Sequence, residues 1–383
     1  MKAFVAIDSF KGSLSTFEAN AAAGRALRGC GLSDDDITLF PVSDGGEGFC
    51  EVLSCYLPEA ERIRLMVHSP AGRPVKASYL LCEGTAYVES ASACGYTQVA
   101  DGERSPFKTS SFGLGELICD ALDRGALRVV VGMGGTATCD GGVGMLQALG
   151  VKFFTDNGLL PEGAPAMLQP LSRIDASALQ LSGCRFEAWS DTSAAFCGSD
   201  GAVSVFGAQK GITPDYSDAA DAWMQGVAGL YGLDVSTEGS GAAGGIGGSL
   251  VAMFGAEVRS GASSVLELAG FREKLADAGP ETVALTGEGR FDSQTLTGKL
   301  PAVVAGLAKS CGARTVCLAG KVACDEHGPF DAVVQVSPDG MPLGTAMRKD
   351  VAVSNIINSI ISIFNHEEAV LHFNQSSGLL VNN

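Results

Sequence analysis

Short, nearly continuous apolar runs that end in turns rich in glycine and aspartate recur along this chain and restrict the folds open to it. Residues 3–7, 128–131 and 282–286 are three such runs. Runs of this length and composition are typical of parallel strands that helices cover on both faces. After the first run, Ser15 and Glu18 form a capping box, the signature of a helix start. The pattern predicts an α/β fold built around parallel sheets.

The 383 residues predict more than one domain. Parallel-type runs lie near both chain ends, whereas residues 62–68 and 75–82 flank a Pro-Ala-Gly-Arg turn and predict an antiparallel hairpin. We therefore predict a discontinuous, doubly wound Rossmann-like domain from residues 1–66 and 262–383, with a mixed α/β domain inserted at residues 67–261. Ligands of such sheets bind beyond the carboxyl ends of the strands, so we expect the active site in the interdomain cleft.

Charge and cysteine usage exclude several classes of protein. The formal charge of −17 argues against a nucleic-acid partner and against an anionic membrane surface, since both attract basic proteins. No apolar stretch reaches the ~18–20 residues of a membrane span, and the first residues lack the apolar region of a signal peptide. The twelve cysteines form no CxxC pair. We expect reduced thiols, a cytoplasmic enzyme and a small-molecule substrate, and a homo-oligomer remains open.

Glycine makes up 51 of the 383 residues, against a usual share of roughly 7%. A segment at residues 132–144 joins a predicted strand to a predicted helix, where consecutive backbone N–H groups bind phosphate without a cation. A second segment, residues 239–248, is predicted to be a glycine-rich loop. The nucleotide- and phosphate-binding candidates from the two segments are Gly134, Gly135, Thr136, Asp140, Gly141, Gly142 and Gly245.

The same segment permits a different interpretation. Gly132, Gly134 and Ala137 match the spacing of the dinucleotide-binding fingerprint, and Asp156 lies beyond the next predicted strand. A nicotinamide-dependent oxidoreductase acting on a small hydroxy acid is therefore an alternative.

Charged residues follow four of the predicted strands. Asp8 and Lys11 come after the first strand, and Asp191 ends the strand at residues 186–190. Asp44 follows the second strand in the sequence Asp-Gly-Gly-Glu-Gly, which predicts a capped helix that starts at Asp44. Three glycines in such a first turn are unfavourable for a helix, which favours close approach of a ligand instead.

The fourth charged segment follows residues 282–286 and contains two carboxylates, an arginine and a lysine. Its members are Glu288, Arg290, Asp292 and Lys299. The segment does not meet the P-loop pattern, because Leu300 stands where that pattern requires Ser or Thr. Carboxylates beside basic side chains nevertheless suit a site for Mg²⁺ and a nucleotide.

The motifs, taken in order, resemble those of bacterial glycerate kinases of the glycerate 2-kinase type. The matching stretches include IDSFKGSLS, FPVSDGGEG, GMGGTATCDGGVGMLQALG, VFGAQKG, GAAGGIGG and TGEGRFDSQTLTGKLP. The resemblance covers nearly the whole chain. It implies a two-domain enzyme that uses ATP and Mg²⁺ to phosphorylate D-glycerate, usually at the 2-hydroxyl, which gives 2-phosphoglycerate and ADP.

Phosphoryl transfer depends mainly on positioning and charge neutralisation, so we assign expected roles by chemistry. For Mg²⁺ we favour Asp44, with Glu288 and Asp292 as alternatives. Lys11, with Lys299 or Arg290, would offset charge on the transferred group. Asp191 or Asp8 would accept the hydroxyl proton, and Arg290 could bind the glycerate carboxylate through a bidentate fork.

The sequence departs from the family pattern at two places. Cys139 replaces the family's Asn in the first glycine-rich segment, and the sequence after Asp191 continues through Ala194 and Ala195, without the Asn and Pro usual there. Two further alternatives follow from these departures: a kinase-like fold that acts on a different hydroxy acid, and a sensor that binds ligand without turnover.

Overall fold

The computed structural model describes residues 1–100, 104–179, 183–279 and 281–365. The chain divides into two compact units. The first unit combines Met1–Ser43 with the described chain from Ala262 onward, and the second unit is Asp44–Gly261. The predicted first boundary, at residue 66, differs from this division because residues 44–66 group with the second unit.

The strands of the described chain are β1 (Lys2–Ile7), β2 (Ile37–Leu39), β3 (Glu61–His68), β4 (Pro74–Cys82), β5 (Thr85–Glu89), β6 (Arg128–Gly132), β7 (Lys152–Thr155), β8 (Gly158–Leu159), β9 (Leu171–Asp175), β10 (Arg185–Trp189), β11 (Glu257–Arg259), β12 (Thr282–Phe291), β13 (Arg314–Val322) and β14 (Ala332–Gln335). The helices are α1 (Thr16–Gly29), α2 (Phe49–Tyr56), α3 (Ser90–Cys94), α4 (Phe112–Asp123), α5 (Val143–Ala148), α6 (Ala202–Phe206), α7 (Pro214–Tyr231), α8 (Ala242–Phe254), α9 (Gly261–Leu268), α10 (Phe271–Ala276), α11 (Leu300–Ser310), α12 (Leu343–Ala346) and α13 (Lys349–Asn365). The predicted α/β class is confirmed.

The first unit contains a five-stranded sheet in the order β14-β13-β12-β1-β2, and all its pairings are parallel. Helix α1 begins as the sequence predicts: the Ser15 hydroxyl accepts the Glu18 amide at 3.2 Å, and the Glu18 carboxylate accepts the Ser15 amide at 2.9 Å. Because the strands are parallel, the chain that follows β1 and the end of β12 lie at one edge of the sheet.

Strand β12 is longer than predicted, because pairing with β13 continues as far as Phe291 opposite Val322. Its glycines permit this close pairing. A Cβ on Gly287 would lie 2.2 Å from the Leu318 carbonyl oxygen. The segment that contains Glu288 is therefore strand, whereas the sequence predicted that the strand ended at residue 286.

The second unit contains a six-stranded mixed sheet in the order β11-β10-β6-β5-β4-β3. The predicted hairpin is confirmed, since β3 and β4 pair antiparallel. Strands β5, β6, β10 and β11 run parallel to one another. Their carboxyl ends consequently bring four chain segments to one edge: those that start at Ser90, Met133, Ser190 and Ser260.

Strands β8 and β9 pair with β7 in a small antiparallel sheet and lie within residues 157–182, which the sequence predicted as loop and short helix and of which residues 180–182 are outside the described chain. This part of the prediction is wrong, because β7 pairs with both later strands. Asp156 lies in the tight turn between β7 and β8 and is exposed. A dinucleotide-binding acidic residue instead ends a parallel strand next to the glycine-rich turn. The placement of Asp156 removes this support for an oxidoreductase.

No helix in the described ranges is both long and apolar enough to cross a membrane. All twelve cysteines are described and all are free thiols.

Candidate active site

In the first unit, Glu288 is the centre of a cluster of charged side chains. Its carboxylate accepts a hydrogen bond from the Thr295 hydroxyl at 2.6 Å. Burial raises the pKa of Glu288, and the charge of Asp292 adds to the rise, whereas the charges of Lys299 and Lys11 oppose it. Two carboxylates and two lysines of the sequence prediction therefore share one electrostatic environment.

The turn after β1 lies beside this cluster. The Asp8 amide donates to the Gly287 carbonyl at 3.0 Å, and the Asp8 carboxylate accepts the Ser9 amide at 2.7 Å. The Arg290 side chain is 68% exposed and lies 3.4 Å from the Asp292 carboxylate. Its guanidinium is thus accessible to an anion. The structure brings Asp8, Lys11, Glu288, Arg290, Asp292 and Lys299 to one edge of the first unit's sheet.

In the second unit, the segment after Asp44 does not start a helix as predicted. The Asp44 carboxylate accepts the Gly46 amide at 2.9 Å, and α2 begins only at Phe49, after Gly48 with φ of 85°. The carboxylate that caps this helix belongs to Glu89, which accepts the amides of Gly48 and Cys50 at 3.2 and 3.1 Å. The sequence prediction missed Glu89 because it lies 39 residues beyond Cys50.

The glycines around Asp44 serve the packing of two loops. A Cβ on Gly45 would lie 2.6 Å from the Trp189 carbonyl oxygen, and one on Gly134 would lie 2.7 Å from the Gly46 Cα. The backbone of the Asp44 loop therefore lies directly on the backbone that follows β6. The sequence analysis expected these glycines to permit the close approach of a ligand. In the structure they permit the close approach of protein backbone instead.

Replacing Gly134 by Ala is expected to push these loops apart, because the new methyl group would meet backbone rather than a flexible side chain. We expect a loss of about 1–3 kcal/mol in the free energy of unfolding and at least a tenfold rise in the KM for ATP. The matched control is Gly226→Ala in α7, where a Cβ has open space. That control should stabilise the protein by up to about 1 kcal/mol. Equal thermal midpoints and equal KM values in the two variants would contradict this account of the loop contact.

Asp140 is fully buried and organises the glycine-rich segment from within. Its carboxylate accepts the Ser111 amide and hydroxyl at 2.8 and 2.9 Å, and the amides of Gly142 and Gly144 at 3.1 and 3.2 Å. Burial raises the pKa of Asp140, and these four donated hydrogen bonds oppose the rise. A carboxylate saturated in this way holds the loop in shape and takes up N–H groups that the sequence assigned to phosphate.

Other glycines of the predicted phosphate site are also used for packing. The Gly141 amide donates to the Gly244 carbonyl at 3.0 Å, and a Cβ on Gly142 would lie 2.1 Å from the Ser249 hydroxyl. A Cβ on Gly245 would lie 2.8 Å from the Gly141 Cα. Residues 243–245 all have positive φ, so α8 has regular helical geometry only after them.

The apex of the segment, Gly134 to Thr136, reaches the surface at Gly135. Gly134 is half-buried, Gly135 is exposed with φ of 66°, and Thr136 is buried. Within the described chain, no protein acceptor takes the N–H groups of Gly135 and Thr136. The Gly134 amide donates to the Ser90 hydroxyl at 3.3 Å, so the amides of Gly135 and Thr136 are the ones that remain for a phosphate.

Asp191 and Asp44 border the same short segment. The Ser260 hydroxyl donates to the Asp191 carboxylate at 2.8 Å. The next residue, Gly261, packs on the Asp44 backbone, since a Cβ there would lie 2.4 Å from the Asp44 carbonyl oxygen. Both carboxylates are half-buried at the carboxyl edge of the second unit's parallel strands.

The two departures from the family pattern lie in the packed interior of these loops. Cys139 is fully buried, and burial raises the pKa of its thiol to about 11. The carbonyl of Ala194, which is also buried, accepts the Gly241 amide at 2.9 Å. A Cβ on Gly241 would meet the Ala195 carbonyl oxygen at 2.1 Å. The segment after Asp191 is thus bound to the loop that precedes α8.

Lys210 is a second residue that the sequence prediction missed. It is 3% exposed, and its ammonium donates to the Thr136 hydroxyl at 3.0 Å and to the Thr138 carbonyl at 2.7 Å. The motif VFGAQKG contained this residue, but nothing in the sequence connects it to a loop more than 70 residues earlier.

The donor set of the first unit fits Mg²⁺, which prefers one or two carboxylates together with water and phosphate oxygens. Glu288 and Asp292 would supply the carboxylates, and the neighbouring lysines would accompany an anionic nucleotide. In the part of the chain that the structure describes, no three His, Cys, Asp or Glu side chains gather as a metal site. The described residues therefore do not form a metal site made entirely of protein ligands.

Comparison with known proteins identifies the family. The family model described as "Glycerate kinase family" matches residues 3–365. A glycerate kinase of Bacillus subtilis (strain 168) is 38% identical over 91% of this chain and 93% of its own. A glycerate 2-kinase of Escherichia coli (strain K12) is 37% identical over 91% of this chain and 93% of its own.

A solved structure gives the same result. A crystal structure named for glycerate kinase 2 of Salmonella typhimurium LT2 matches with a TM-score of 0.76 and 36% identity, over 97% of this chain and all of that one. The resemblance that the motifs suggested is confirmed, and no comparison supports the oxidoreductase alternative. The chain belongs to the glycerate kinase family and is an enzyme, a kinase of the transferase class.

Proposed function

We propose that this protein transfers the γ-phosphoryl group of ATP to the 2-hydroxyl of D-glycerate and forms 2-phosphoglycerate and ADP in an Mg²⁺-dependent reaction. The family implies ATP-dependent phosphorylation of glycerate. The observation that carries the proposal in the molecule is the Glu288 cluster, in which carboxylates and lysines share one environment. Such a mixture of charges suits a metal–nucleotide complex.

Each residue has a proposed role. Bound Mg²⁺, held by Glu288 and Asp292 or by Asp44, would neutralise charge on the nucleotide phosphates. Lys11 and Lys299 add positive charge for the transferred group. The amides of Gly135 and Thr136, at the apex of the segment, donate to phosphate.

The remaining roles concern glycerate. Arg290 binds its carboxylate, which the exposure of the guanidinium supports. Asp191 accepts the proton of the attacking hydroxyl, with Asp8 as the alternative. We also propose the discontinuous Rossmann-like domain and the inserted domain of the sequence prediction. Because free thiols fit a reducing compartment, we propose a cytoplasmic enzyme.

The test supplies purified protein with D-glycerate, ATP and Mg²⁺, and couples product formation to NADH loss through enolase, pyruvate kinase and lactate dehydrogenase without phosphoglycerate mutase. ADP release is quantified directly in parallel, without coupling enzymes, and omission of Mg²⁺ with added chelator is tested in this direct assay because enolase and pyruvate kinase themselves need Mg²⁺. We expect a signal through enolase, since enolase accepts only the 2-phosphate, and direct ADP release that requires Mg²⁺.

Other outcomes would revise the proposal in different ways. A signal that appears only after mutase is added would mean 3-phosphoglycerate, and the segment after Asp191 would then be the first place to examine. ADP release with another hydroxy acid but not with D-glycerate would identify that hydroxy acid as the substrate. No ADP release by folded protein with any hydroxy acid would reject the proposed reaction.

A further inference from the structure

Lys210 places a positive charge beneath the exposed apex of the glycine-rich segment. The lysine ends a one-turn 3₁₀ helix, Ala208–Lys210, and its side chain reaches the loop that follows β6. There it contacts the Thr136 hydroxyl at 3.0 Å, which joins it directly to the apex, and the Thr138 carbonyl at 2.7 Å. The ammonium therefore contacts the loop at two positions, the hydroxyl of Thr136 and the carbonyl of Thr138.

The surroundings of this ammonium are unfavourable for a buried positive charge. Within the described chain it has no carboxylate within 4.0 Å, and its two hydrogen-bond partners leave one of its three N–H donors unused. Burial lowers the pKa of Lys210, and the more distant charge of Asp140 opposes the fall. A buried charge without a direct ion partner costs stability. Such costs concentrate at functional sites.

A second observation lies at the same place. The Thr138 hydroxyl is completely buried and has no hydrogen-bond partner in the part of the chain that the structure describes. The carbonyl of this same residue accepts the Lys210 ammonium. The buried Thr138 hydroxyl and the Lys210 ammonium are thus neighbouring polar groups beneath the apex, joined through the Thr138 residue.

The N–H groups of the loop form two sets, one bonded to Asp140 and one above Lys210. Asp140 takes the amides of Gly142 and Gly144, and these donors point into the protein. At the apex, the amides of Gly135 and Thr136 have no protein acceptor among the described residues, and Lys210 lies under that half of the loop. The positive potential is thus located where the unused donors are.

We propose that Lys210 is a positioning residue for phosphate: through Thr136 and Thr138 it fixes the apex so that the amides of Gly135 and Thr136 point to a nucleotide phosphate, and it adds positive potential there. This inference rests on the proposed nucleotide-binding function of the segment. It assigns to Lys210 a function for which the sequence offered no evidence.

The test measures ADP affinity by titration calorimetry, without glycerate and without turnover, so that failure to phosphorylate glycerate would not affect the result. Lys210→Met keeps the length of the side chain and removes the charge. Its Kd for ADP should rise about tenfold to a hundredfold, the range for losing a hydrogen bond to a charged group. The matched control, Lys76→Met, changes an exposed lysine of the same unit and should bind ADP as the wild type does.

Two further measurements separate positioning from a purely structural role. Combining Lys210→Met with Thr136→Val should give less than the sum of the two single effects, because both break the same contact. The thermal midpoint of Lys210→Met should change little, because removal of a buried charge without a direct ion partner offsets the loss of its two hydrogen bonds. If that variant does not fold, Lys210→Gln takes its place. ADP affinity equal to that of the Lys76→Met control would overturn the inference.

Discussion

Replacing Asp191 by Asn should lower kcat by on the order of 10²- to 10⁴-fold, because an amide cannot accept the hydroxyl proton in the transition state. The substitution is nearly isosteric, and the new side chain can still accept the Ser260 hydroxyl at the position where the carboxylate does so at 2.8 Å. The fold and the KM for ATP should consequently change little.

The matched control for Asp191→Asn is Asp156→Asn, which alters an exposed aspartate of the same unit, in the turn between β7 and β8. Initial rates at saturating ATP and D-glycerate, together with thermal midpoints, decide the outcome. A folded Asp191→Asn enzyme with kcat within about twofold of the control would remove Asp191 as the general base. Asp8→Asn would then be the variant to measure.

Replacing Asp140 by Asn should have the largest effect on stability. The carboxylate accepts four hydrogen bonds, with Gly142 on one oxygen and Ser111 and Gly144 on the other. An amide has a single oxygen, so its NH₂ group would face one of these buried donors. Losing charge-assisted bonds and leaving a buried N–H unpaired should cost about 3 kcal/mol.

Thermal denaturation measures this effect. For a unit of this size, the expected loss corresponds to a fall of roughly 6–12 °C in the melting temperature. ADP affinity should fall as well, since Asp140 shapes the loop that carries the apex. The exposed variant Asp156→Asn again provides the control and should melt within about 1 °C of the wild type. An Asp140→Asn protein with the same melting temperature as this control would show that the four hydrogen bonds contribute little to stability.

The secondary structure could be predicted well where the cause is local. The capping box at Ser15 and Glu18 was confirmed, because both partners lie within one turn of each other. The helix start at Asp44 was wrong, since the cap comes from Glu89, on another strand. The prediction of loop and short helix for residues 157–182 was wrong, because the short strands β8 and β9 form only through pairing with β7.

The candidate residues show the same division. The sequence identified Asp8, Asp191 and Glu288 because each stands at or near the carboxyl end of a parallel strand, a position that the apolar runs reveal. It also identified the family, since ordered motifs need no tertiary information. It could not find Lys210, whose contacts with Thr136 and Thr138 join segments that are distant in the chain.

By itself, the sequence determined the α/β class, the positions of most strands, the family and the carboxylates available for chemistry, because these depend on local composition and on motif order. Only the tertiary structure decided what the glycines do. A glycine permits close approach of any group, and the chain alone does not reveal whether that group is a ligand or another loop. Packing uses Gly45, Gly142 and Gly245 for loop contacts and leaves the apex at Gly135 exposed.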